Sequence, residues 1–101
     1  MKNHTKLYFS KLGFDTSDFI PSELSNQRAV DIHHIDCRGA GGTKKEDRIE
    51  ELMALTREEH LKYGDKKQFM VMLYEKHLAY LKSKRVDFDE DYIKEKIEKY
   101  K

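Results

Sequence analysis

Apolar and polar residues alternate through Ala29-Val30-Asp31-Ile32-His33-His34-Ile35, a period near two that predicts a strand. The preceding run, Phe19-Ile20-Pro21-Ser22-Glu23-Leu24, reads as extended, and its proline favours an edge position. Ser25-Asn26-Gln27-Arg28 turns the chain between the two runs, so the pattern predicts a short hairpin whose second arm holds both histidines. Thr5 to Leu12 carries Leu7, Tyr8, Phe9 and Leu12 and ends at Gly13, as a short glycine-closed helix does.

From Asp36 to Arg48 the chain is glycine-rich and charged, which predicts a loop. Ile49, Leu52, Met53 and Leu55 return to the core, and Thr56-Arg57-Glu58-Glu59 has the spacing of a capping box. A helix starting there places His60 about one turn inside, with Gly64 at its end. Asp65 to Gln68 caps a longer helix whose Met70, Leu73, Tyr74, His77, Leu78 and Leu81 form one stripe. A last helix begins near Asp89, with acids in its first turn and Ile93, Ile97 and Tyr100 at helical spacing.

Composition narrows the picture. The 101 residues are enough for one small domain, 39% of them are charged, and the net charge of +1 gives no global preference for a polyanion. Any affinity for nucleic acid therefore has to come from local patches. One cysteine, Cys37, excludes an intramolecular disulfide and any zinc site built from several thiolates, and it is expected to pack as a small side chain. No run approaches a membrane-spanning length, so a soluble protein of the cytoplasm with no membrane partner is expected.

The chemistry lies in His33, His34 and His60. Imidazole both ligates metals and accepts protons near neutral pH, so three of them placed to converge point to a catalytic site. Hydrolysis of a phosphodiester needs an activated water and positive charge where negative charge develops, which one base and one divalent ion supply.

The residues His33-His34-Ile35, the glycines of the loop, Leu52-Met53-Ala54-Leu55 and His60 resemble the HNH endonuclease family over Phe19 to Asp65. The resemblance implies an α+β fold: a ββα-metal core of hairpin, loop and helix around one metal ion. An N-terminal helix and C-terminal helices over about 66–100 would flank it in a single domain spanning residues 1–101. It also implies a DNA endonuclease or nickase, of a kind common in bacteriophages and bacteria, with His33 as metal ligand, His34 as general base and His60 as a further ligand.

Where the family has an asparagine before Leu52, this chain has Glu51, which binds Mg²⁺ as readily but adds negative charge and donates no hydrogen bond. Many members carry a zinc knuckle of two cysteine pairs; the corresponding positions here are Ser22, Ser25, Thr56 and Glu59, so no structural zinc is expected. A third metal-binding histidine of some members falls on Gly64. One Mg²⁺ or Mn²⁺ ion on His33, Glu51 and His60 is the expected cofactor. Arg38, Lys44, Lys45 and Arg48 are candidates for flanking DNA phosphates, contacts that position without reading sequence. Asp31, ahead of Asp36, is the candidate to orient an imidazole. His77 is expected to be a packed residue, and His4 has no assigned role.

One physical condition governs this scheme. Neighbouring residues on a regular strand point to opposite faces, so His33 and His34 share one site only if the strand bends there. Two other functions compete with the nuclease: an impaired HNH-like module that binds nucleic acid or a protein, with Glu51 as its lesion, and a helical interaction protein whose histidines are incidental.

Overall fold

The computed structural model describes residues 2–36 and 47–101. Helix α1 spans Asn3–Leu12, strand β1 Asp31–His34, strand β2 Leu52–Leu55, and helix α2 Arg57–Tyr63. Helices α3, Met70–Lys84, and α4, Glu90–Tyr100, complete an α+β fold in which the described residues form four α-helices and a two-stranded antiparallel sheet. No helix among the described residues is long and apolar enough to cross a membrane.

The helix signals in the sequence act as expected. Gly13 takes the left-handed conformation at φ 74°, where a side chain would be strained, and its N–H closes α1 on the Phe9 carbonyl. Thr56 and Glu59 form the full capping box of α2. Asp89 caps α4 by accepting from the Tyr92 N–H. The α3 stripe buries Met70, Leu73, Tyr74, His77 and Leu81, and α4 buries Ile93 and Ile97 against the same core.

The hairpin differs from the predicted one. The partner of β1 is Leu52–Leu55 and not Phe19–Leu24, with Asp31 opposite Leu55, Ile32 opposite Ala54, His33 opposite Met53 and His34 opposite Leu52. All four residues of β2 are buried, because its two faces are both covered; a continuous apolar run suits such a strand better than an alternating one. The Phe19–Leu24 run meets the next arm only at an isolated bridge, Pro21 to Arg28. Proline has no N–H to extend that ladder.

Glu23 continues from that bridge and covers the far edge of β2. Its N–H donates to the Ala54 carbonyl at 3.0 Å, and its Oε2 accepts from the Ala54 N–H at 3.4 Å. The carboxylate is wholly buried and also accepts from the Tyr8 hydroxyl at 2.6 Å and meets Nδ1 of His77 at 2.6 Å. Nε2 of His77 donates to the Ile49 carbonyl at 2.7 Å. His77 is thus packed, as its place on the stripe implied, but it is also half of a buried ion pair. Burial lowers its pKa, and the Glu23 carboxylate more than reverses this, so the net shift is upward from 6.5.

Because the folded chain holds the His77 proton more tightly than the unfolded one, this pair stabilises fully below pH 6.5, and its contribution falls as pH rises through the raised folded value. Urea denaturation between about pH 6 and about pH 9 is expected to show a declining midpoint that His77→Gln flattens. The substitution itself is expected to cost about 3 kcal/mol at the acid end, since it leaves Glu23 buried without its countercharge.

Candidate metal centre

The ladder is regular through both adjacent histidines, and the chain bends only at Ile35. His33 and His34 therefore leave β1 in opposite directions. The two faces carry different constellations.

On one face His33 is buried, 3% exposed, and its ring centroid lies 4.5 Å from that of His60 at an interplanar angle of 50°. The capping box fixes the start of α2, which brings His60 over the strand. Asp31 lies two residues before His33 on the same face of β1, and its Oδ2 is 3.1 Å from Nδ1 of His60. Hydrogen bonds from Arg57, then the contact with His60, hold the Asp31 carboxyl below its ordinary pKa. An ionised carboxylate only accepts, so Nδ1 of His60 carries a proton toward Asp31, which in the neutral tautomer leaves the lone pair on Nε2. A carboxylate on the far nitrogen is the arrangement that orients a metal-binding histidine.

Gly64 stands against both rings. A Cβ there would lie 2.7 Å from Cδ2 of His60 and 3.2 Å from Cε1 of His33, and it would also strike the His60 carbonyl. Its φ of −67° is open to any residue, so close approach and not backbone conformation is what requires glycine. The third histidine of the family pattern is thus sterically excluded from this backbone.

On the other face His34 is partly buried, and its Nε2 lies 2.9 Å from Oδ1 of Asp47. Its ring centroid is 4.6 Å from that of His4, in the first turn of α1. The pKa of His4 is lowered, by burial first and by His34 next. Among the described residues, His4, His34 and Asp47 are the one group of three whose ligand atoms all lie within 4.8 Å of one another. No sequence spacing links His4 and Asp47 to His34, because 30 and 13 residues separate them from it.

Glu51, expected beside His33, is placed elsewhere. It is buried at the start of β2, where its carboxylate accepts from the hydroxyls of Tyr74 at 2.8 and 2.9 Å and of Tyr92 at 2.7 Å. It also accepts from the Asp36 N–H at 3.1 Å and lies 3.7 Å from Nζ of Lys96. Burial, then the Glu51 charge, pushes the Tyr74 pKa up, so the phenol stays a donor. His33, Glu51 and His60 accordingly do not converge as three ligands. The physical reason is that the tyrosines of α3 and α4 and a backbone amide satisfy this buried charge.

Asp36 turns to α4 as well, accepting from Lys96 at 3.0 Å and Tyr100 at 2.6 Å, so of the two candidates it is Asp31 that contacts an imidazole. Arg48 binds Glu50 through Nε at 2.9 Å and lies over the Tyr92 ring, 3.9 Å from its centroid. Arg38, Lys44 and Lys45 lie outside the described residues, as does Cys37.

The four positions equated with the zinc-knuckle cysteines come together as a polar knot. Ser22 Oγ donates to Oε1 of Glu59 at 2.5 Å, and the same oxygen of Glu59 accepts from the Thr56 N–H at 2.9 Å. Ser22 Oγ also accepts from the Ser25 N–H at 3.3 Å.

No protein-family model, no curated protein and no solved structure matches this chain.

Replacing Glu51 by asparagine withdraws the carboxylate from both phenols and leaves buried donors unpaired. A loss of about 1–3 kcal/mol in urea denaturation is expected. An unchanged midpoint would show that the tyrosine cluster tolerates the shorter amide.

Proposed function

We propose that the chain is a metal-dependent phosphodiesterase of the HNH type acting on DNA, with β1, β2 and α2 as its ββα core. The observation that carries this reading is the convergence of His33 and His60, 4.5 Å apart between ring centroids, with Asp31 on the far nitrogen of His60. The knot of Ser22, Ser25, Thr56 and Glu59 supports it independently, since it gathers the positions at which family members place their cysteine pairs.

His33 and His60 would hold one divalent ion; two imidazoles fit Mn²⁺ better than Mg²⁺. The ion supplies positive charge for the oxygens that become more negative as phosphorus is attacked. Asp47, accepting from Nε2 of His34, puts that ring's lone pair on Nδ1, the atom that takes a proton from the attacking water. A phosphate could meet both His34 and an ion held by His33 and His60 only past the end of β1, where the chain bends at Ile35. Arg38, Lys44 and Lys45, between the two strands in sequence, are the proposed contacts to flanking phosphates.

The opposite directions of His33 and His34 favour a second reading, an HNH-like module that holds a metal and a nucleic acid without hydrolysing it. Glu51 is then a structural residue and not the lesion.

Nicking of supercoiled plasmid in Mn²⁺ separates the two. The wild type is expected to cleave, and His33→Ala and His60→Ala are expected to lose cleavage together with Mn²⁺ binding. His34→Ala is expected to keep the ion and lose activity by about 10²-fold or more. Mn²⁺ binding without cleavage by the wild type selects the second reading, and absence of Mn²⁺ binding removes both.

A further inference from the structure

We propose that His4, His34 and Asp47 form a second metal site, selective for ions of the zinc class and distinct from the His33–His60 pair. Two imidazoles and one carboxylate from α1, β1 and the segment before β2 bring their ligand atoms within 4.8 Å of one another. Three protein ligands of this kind, with a fourth position open to solvent, are a common zinc set. Tetrahedral donors at zinc bond lengths stand about 3.4 Å apart. His34 Nε2 and Asp47 Oδ1 are already at 2.9 Å, and the rings of His4 and His34 lie tilted at 50° with their centroids 4.6 Å apart. Small side-chain rotations of partly exposed groups therefore complete the geometry.

The donors also set the selectivity. Imidazole nitrogens suit zinc, cobalt and nickel, whereas Mg²⁺ prefers an all-oxygen shell and keeps its waters. The ion would take the Nε2 lone pair of the other His34 tautomer, with the single ring proton moving to Nδ1 and the Asp47 carboxylate turning from that N–H to the ion. Linking α1 to the hairpin across 30 residues of sequence also ties down a helix whose first turn has no side-chain cap. Binding here is independent of any hydrolysis at the other face. It does oppose it, because an ion on Nε2 of His34 leaves the ring's proton on Nδ1, the atom proposed as the base.

Calorimetric titration of the full chain with Zn²⁺ tests the site, with the thermal midpoint as a second readout and circular dichroism to verify that each variant folds. Wild type is expected to bind Zn²⁺ and to melt on the order of 10 °C higher at one hundred times the Kd. His4→Ala and Asp47→Asn are each expected to remove one equivalent and most of that shift, and His60→Ala is expected to retain them. A single equivalent lost with His4→Ala but kept in His60→Ala supports this site while removing the His33–His60 centre. A His4→Ala variant that keeps the full wild-type stoichiometry overturns it, as does a wild type that binds no Zn²⁺.

Discussion

The carboxylate of Glu23 is where the fold is tied together. It is wholly buried, and four separate parts of the chain reach it: Tyr8 from α1, Ala54 from β2, His77 from α3, and Ile49 by way of the His77 ring. An isolated carboxylate in such surroundings would be strongly destabilising, so Tyr8, Ala54 and His77 have to be in position as donors, with the Ile49 carbonyl holding the His77 ring, for the charge to be tolerated. The arrangement fixes more than energy. By closing both hydrogen-bonding groups of Ala54, Glu23 protects the open edge of a two-stranded sheet and sets where β2 lies relative to α1 and α3.

That placement determines the candidate site. With β2 clamped, the register aligns His33 with Met53 and His34 with Leu52, and Thr56 starts α2 immediately afterwards. His60 consequently reaches His33, and Gly64 leaves room for both rings. A second buried carboxylate, Glu51, does for α3 and α4 what Glu23 does for α1: it collects Tyr74, Tyr92 and Lys96 and braces the two ends of the hairpin through the Asp36 amide. Both acids occupy positions where an apolar side chain would pack. What they add over one is direction, since hydrogen bonds of fixed geometry admit fewer alternative packings.

The divergence of the adjacent imidazoles shapes what the protein can do. The strand presents His33 inward, against the His60 ring of α2 that Asp31 contacts, and His34 outward, held by Asp47 beside His4. Side chains on opposite sides of a strand can meet a common ligand only at the strand's end. The bend at Ile35 sits there, and the chain between the strands carries the cations Arg38, Lys44 and Lys45. The knot at Ser22 and Glu59 ties the chain ahead of β1 to the start of α2.

Much of this was legible in the residues because it is local. Gly13, the Thr56–Glu59 box, Asp89 and the α3 stripe each specify a helix within a few positions, through capping and periodicity that need no distant partner. The alternation at Asp31–His34 likewise marked a strand, but a period of two says nothing about which strand lies alongside. That choice fell to Leu52–Leu55, whose four apolar side chains can be buried only with both faces covered, and it moved Phe19–Leu24 to the far edge. Glu51, His4 and Asp47 acquired their surroundings the same way. The tyrosines, the second imidazole and the facing carboxylate come from segments 13 to 41 residues away, brought together by burial and not by any spacing in the sequence.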